Sequence, residues 1–165
     1  MKNYKPAFTL IELIIVIAII IILTGVAVPL SAGYITERQV YNAATQLQQD
    51  LLLIQNLAIT HSTESKFKIT FTNSKSYTFE TDESALKTVT RNFPSSIGIY
   101  DLKIEGISIL PFPKSFNFDN QGRLHKTGDL NPCSLEVDIQ LSNGAKQIKV
   151  IVSTIGRVKI DWITK

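Results

Sequence analysis

One carboxylate stands where a carboxylate is unfavourable. Glu12 lies one turn inside an apolar run, and from Leu13 to Thr36 no residue is charged. A charge at the centre of a membrane helix costs about 2.5–3.5 kcal/mol, less near an interface. Such a group is either solvated at headgroup depth or partnered. The preceding segment, Met1 to Ala7, carries Lys2 and Lys5 and no acid. A cut before Phe8 would leave a new α-amine four residues, one helical turn, from Glu12. An amine with an ordinary pKa of about 8 is largely cationic at neutral pH and pairs with a carboxylate. A helix N-terminus favours the anion by a further ~0.3–1 kcal/mol. The chemistry that this spacing offers is charge pairing.

Bond-making chemistry finds little to work with. Cys133 is the single cysteine, so no internal disulfide is possible, and a lone cysteine usually serves as a small buried apolar side chain. His61 and His125 are the two histidines; neither sits in a local motif, and both are expected at the surface. Asp119, Asp129 and Asp138 are dispersed singly and are expected in turns and on strand surfaces. There is no Gly-x-Ser-x-Gly, no His-Glu-x-x-His, no phosphate loop and no cluster of metal-ligand residues. The expectation is a chain that is not an enzyme, with no cofactor and no metal. Net charge is +3, but Lys2 and Lys5 lie in the leader. From Glu37 onward 15 basic residues face 13 acidic ones, a near-neutral balance that gives no general electrostatic case for nucleic acid.

The elements that must position Glu12 come next. At a rise of about 1.5 Å per residue, some twenty apolar residues cross a bilayer core of about 30 Å, so residues 8–36 are expected to form a spanning helix. A secretory signal has a shorter apolar region and a small-residue cleavage site at its far end; here Val26 to Ala32 fits such a site poorly. Lysines before the helix predict a cytoplasmic N-terminus and an exported C-terminal domain. Gly25 and Pro29 are expected kinks. After Gly33 the pattern turns amphipathic: Val40, Ala43, Ala44, Leu47, Leu51, Ile54, Leu57 and Ala58 recur at helical intervals, while Gln46, Gln48, Gln49, Asp50 and Gln55 fall mostly elsewhere. With Leu52 and Leu53 added, the stripe widens as for a helix clasped by a sheet. Residues 37–61 thus continue the helix.

Residues 62–165 read as strands. Lys66 to Phe71 alternates with period two and turns at Asn73-Ser74 into Ser76 to Glu80. Weaker strands follow at Thr88–Arg91, Ile97–Tyr100 and Gly106–Leu110, then Phe116 and Phe118 precede the turn residues Asp119 to Gly122. Leu135–Leu141 is a half-buried strand, Asn143-Gly144 a two-residue hairpin signal, and Ile148, Val150 and Val152 return the chain. A last strand covers Arg157 to Trp162. A long helix on an antiparallel, hairpin-rich sheet domain is an α+β fold.

Lys5-Pro6-Ala7-Phe8-Thr9-Leu10-Ile11-Glu12 ahead of an Ile-rich helix resembles the processing site of type IV prepilins and type II secretion pseudopilins. The resemblance implies that a prepilin peptidase removes residues 1–7 by cutting between Ala7 and Phe8, then methylates the amine of Phe8. It implies that Glu12 docks a subunit against its neighbour's terminal amine during filament assembly. The family prefers Gly before the cut; Ala7 departs from this but is small, so cleavage is expected. Farther along, Phe118 to Arg123 and Ile155 to Ile160 resemble recurring segments of the H-type minor pseudopilins and FimT-like minor pilins. This implies a pilin-like minor subunit in the inner membrane, single-pass, whose partners are other pilins or pseudopilins and an assembly platform, serving protein export in a type II secretion pseudopilus. The alternative is a minor pilin of a DNA-uptake pilus. FimT-like relatives bind DNA through two C-terminal arginines, and here the positions are Arg157 and Lys159; a lysine offers phosphate a point charge without the bidentate fork.

Overall fold

The computed structural model describes residues 9–61, 67–80, 88–141 and 144–163, with the side chains of these except 26–34, 36 and 141. It is α+β, one long helix followed by ten strands in two antiparallel sheets. The expected sites Ala7 and Phe8 lie outside the described residues.

Helix α1 runs from Leu10 to His61, ending where the sequence loses its periodicity. The chain divides into two compact units, residues 1–38 and 39–165. In the first, the large apolar side chains from Leu10 to Leu23 are exposed on every side of the helix. Among the described residues no helix is long and apolar enough to cross a membrane; the run whose side chains are described stops at Gly25, short of the about 20 residues that a crossing needs.

In the second unit Val40, Ala43, Ala44, Leu47, Leu51, Ile54 and Ala58 are buried, the stripe that the periodicity predicts. They join one core with Phe67, Ile69, Phe71, Tyr77, Phe79, Phe116 and Phe118 from one sheet and Ile97, Leu102, Val137, Ile139, Ile148 and Val150 from the other. The first sheet has strand order β3-β2-β1-β6-β7, from β1 (Lys68–Asn73), β2 (Ser76–Glu80), β3 (Thr88–Asn92), β6 (Lys114–Phe118) and β7 (Leu124–Lys126). The second has order β10-β9-β8-β4-β5, from β4 (Ile97–Ile104), β5 (Ile107–Ser108), β8 (Leu135–Leu141), β9 (Gln147–Val152) and β10 (Val158–Ile163). Alternation explains both: β9 buries Ile148, Val150 and Val152 and leaves the residues between half-exposed, as a strand with one wet face must.

Several expectations are corrected. Leu52 and Leu53 are exposed: at about 100° per residue they turn off the buried stripe as soon as it passes Leu51, so no sheet clasps them. Asp50 points the other way and is 5 % exposed. Its carboxylate accepts from the Tyr77 hydroxyl at 2.7 Å and Arg91 Nε at 3.2 Å, which compensates a buried charge. Burial, aided by the Asp50 hydrogen bond, pushes the Tyr77 phenol well above its ordinary range. The strand expected over 106–110 shrinks to Ile107–Ser108, because Glu105 and Gly106 both take positive φ (51° and 81°) in a tight turn. The last strand starts at Val158, leaving Arg157 in the preceding loop.

Candidate functional site

Thr9 and Glu12 form a reciprocal cap at the start of α1. The Thr9 backbone N–H donates to Glu12 Oε2 at 3.3 Å, the Thr9 hydroxyl donates to the same oxygen at 3.1 Å, and the Glu12 N–H donates to Thr9 Oγ1 at 3.3 Å. A helix start leaves four N–H groups without partners inside the helix, and this capping box satisfies donors at both of its ends. The signal was in the sequence: Thr-x-x-Glu before an apolar run is the signature of such a start. Glu12 therefore has a local duty besides any pairing with a neighbour, and it is exposed, open to a second donor. Farther along the apolar stretch, Thr24 turns its hydroxyl back onto Ile20 O at 2.6 Å, so it adds no unsatisfied polar group to the apolar surface.

In the head, the segments Phe118 to Arg123 and Ile155 to Ile160 are brought together. Each overlaps a hairpin loop ending in Gly-Arg: Asp119–Arg123 between β6 and β7, and Ser153–Arg157 between β9 and β10. In each, the first residue's N–H donates to the arginine carbonyl (3.0 Å in both) and the glycine N–H donates to the first residue's carbonyl (3.0 and 2.8 Å). Gly122 and Gly156 take φ of 75° and 80°, the left-handed residue that closes three-residue hairpins. Gln55 on α1 joins the loops, donating through Nε2 to Gly122 O at 2.8 Å and Gly156 O at 2.9 Å. Nothing in the sequence marks this role, since a glutamine on a helix flank has no distinguishing pattern.

Asp119 lies in the expected turn but is buried, and so is His125, which was expected at the surface. The reason is one carboxylate collecting four donors: Gln121 N at 2.9 Å, Arg123 N at 2.8 Å, Arg123 Nε at 2.7 Å and His125 Nε2 at 3.0 Å. Burial alone would raise the Asp119 pKa, but the hydrogen bonds from Arg123, His125 and Gln121 outweigh it and hold the group below 3.8. A cleft of about 450 Å³ opens beside it, lined by Asn117, Asp119, Arg123, His125, Thr127, Gly128, Asp129 and Leu130. With its lone pairs occupied, Asp119 fastens a turn; it is not poised as a base. Asp138 is also buried, at 2 % exposure, because Lys103 Nζ lies on it at 2.8 Å; that hydrogen bond raises the Lys103 pKa. Asp129 is exposed, as expected. Cys133 is buried, which pushes its thiol up and away from the reactive thiolate. Among the described residues no group of three or more metal-ligand side chains converges.

Arg157 and Lys159 are both exposed. The Lys159 ammonium is engaged by Asp161 at 2.7 Å, and Lys149 by Glu136 at 2.7 Å. Among the described residues the Arg157 guanidinium has no ion-pair partner.

Residues 2–28 match the prokaryotic N-terminal methylation motif. The match covers the basic leader, Glu12 and the first turns of α1, and it supports a type IV pilin-like or pseudopilin chain. Processing by a prepilin peptidase and assembly into filaments follow from the motif. Comparison with curated proteins and with solved structures gives no match.

Proposed function

We propose that this chain is a minor pilin-like subunit of a filament assembled at the inner membrane, in a type II secretion pseudopilus. The observation that carries the reading is a methylation motif whose acid sits at the mouth of an all-round apolar helix. A helix apolar on every face belongs in lipid or among its own kind. The uncharged run from Leu13 to Thr36 is long enough to cross a bilayer. In the membrane it anchors the subunit with its head outside; in the filament it packs against other such helices. Cleavage between Ala7 and Phe8 exposes the amine that Glu12 of a neighbour meets.

The capping box divides the role of Glu12 in two and so sets the test. Glu12→Gln keeps an oxygen for the Thr9 N–H but loses the charge; Glu12→Val loses both. Mass spectrometry of the extracted protein should show a methylated Phe8 terminus in wild type and in both variants. Neither variant should co-purify with partner subunits at the wild-type level. Glu12→Gln assembling like wild type would reduce Glu12 to a helix cap, and an intact Met1 would remove the pilin reading.

The alternative, a DNA-uptake pilin, rests on Arg157. It receives less support, because Lys159 and Lys149 spend their charge on Asp161 and Glu136. Of the two positions in the motif, Arg157 alone has no ion-pair partner among the described residues, and one guanidinium on a near-neutral head is a weak magnet for phosphate.

A further inference from the structure

We propose that Tyr41 and Trp162 form a contact that seats the head on the lipid headgroup layer; this rests on the membrane-anchor reading above. The two rings stack with centroids 6.1 Å apart and planes 8° from parallel, and each residue is 45 % exposed. Among the described residues neither the Tyr41 hydroxyl nor the Trp162 indole N–H has a hydrogen-bond partner. A half-exposed aromatic pair with two unused polar tips fits a surface that is apolar on one side and wet on the other. Tyr and Trp gather at the membrane–water interface for that reason.

The position along the chain agrees. Tyr41 lies five residues after Thr36, where the uncharged run ends. Even fully extended, the five residues from Thr36 to Tyr41 span at most about 18 Å, so the pair stays near the surface whatever the chain does between them. Strand β10 brings the tryptophan to this end. Gln48 Nε2 reaches Val158 O at 3.4 Å where the strand begins, and four residues on Trp162 meets Tyr41, two helical turns before Gln48. The strand thus runs back along the helix toward its membrane-side end.

Trp162 is the only tryptophan, so intrinsic fluorescence reports on this contact alone. The full chain is reconstituted into phosphatidylcholine–phosphatidylglycerol vesicles with lipids brominated near the headgroup end of the acyl chain. Flotation of the vesicles measures anchoring independently. The expected result is a chain that floats and loses about half of its emission to the brominated lipid, while Tyr41→Ala floats equally and is quenched less. Circular dichroism checks that the Tyr41→Ala head stays folded, and Tyr41→Phe, which keeps the stack, should be quenched nearly as wild type. A chain that floats with unquenched Trp162 overturns the contact and leaves the anchor standing; one that does not float removes both. Emission that shifts only when other subunits are co-assembled would give the rings to a protein neighbour and overturn the lipid assignment.

Discussion

The loops Asp119–Arg123 and Ser153–Arg157 share a backbone pattern and a terminal Gly-Arg, yet they treat the arginine differently. In the first, Asp119 accepts the Arg123 backbone N–H through Oδ1 and its side-chain Nε through Oδ2. In the second, Ser153 Oγ accepts the Arg157 N–H at 3.1 Å and has no second oxygen to offer. One side-chain atom decides whether the guanidinium is tied back or left for a partner. The glycines differ too. A methyl added at Gly122 would lie 3.0 Å from Gln55 Nε2 and Ile59 Cδ1, both ends of flexible side chains; one added at Gly156 would overlap Gly122 O, a backbone atom. The second loop is locked by close packing, the first by charge.

The largest effect should come from breaking the packed loop. Gly156→Ala drives a methyl into the Gly122 carbonyl and puts alanine at a φ of 80°, so a loss above about 3 kcal/mol is expected. Gly122→Ala faces a similar φ but yielding neighbours, and should lose about 1–2 kcal/mol. Urea unfolding of both variants measures the difference. If Gly122→Ala proves the more damaging, the assignment of packing to one loop and charge to the other is wrong.

Next is the charged loop. Asp119→Ser gives the first loop the chemistry of the second and leaves His125 and Arg123 without their shared acceptor, at a cost of about 2–3 kcal/mol near neutral pH. The sign with pH follows from the lowered Asp119 pKa. A carboxyl held below its unfolded value stabilises fully above that value, near 3.8, and the contribution is lost as pH falls through the folded pKa. The gap between wild type and variant should therefore be widest above about pH 4 and close under stronger acid. A constant gap across that range would assign the loss to packing.

The sequence shows these features unevenly. The helix stripe, the Leu135–Leu141 strand and the boundary at His61 all follow from periodicity, because burial repeats with the geometry of the element. Asp119, Asp138 and His125 escaped because a charged side chain is buried when distant donors converge on it, and nothing adjacent in sequence records that convergence. Asp50 escaped for the same reason: Tyr77 and Arg91 stand 27 and 41 residues away. The two Gly-Arg loops were visible singly as turns, while their meeting at Gln55 depends on two sheets being folded first. The Thr9–Glu12 cap was legible from spacing alone and was obscured only by the more unusual possibility for the same carboxylate.

The smallest expected effect completes the exchange between the loops. Ser153→Asp supplies the missing second oxygen, so Arg157 should fold back as Arg123 does. Ser153 sits at a partly exposed hairpin, and an exposed ion pair is worth about 0–1 kcal/mol; unfolding should shift by at most that, and the gain should fade in high salt. The sharper readout is chemical. Arg157 should become less reactive toward phenylglyoxal than in wild type, with the modified peptide identified by mass spectrometry. The same variant bears on nucleic acid. If Arg157 neutralises a phosphate, tying it back should lower duplex-DNA affinity and flatten the salt dependence by about 0.9 in the logarithmic slope. On the filament-subunit reading, wild type and variant alike bind duplex too weakly for a slope to be measured. Strong wild-type binding that Ser153→Asp abolishes would turn the unpaired arginine of the second loop into the working contact of a DNA-uptake pilin.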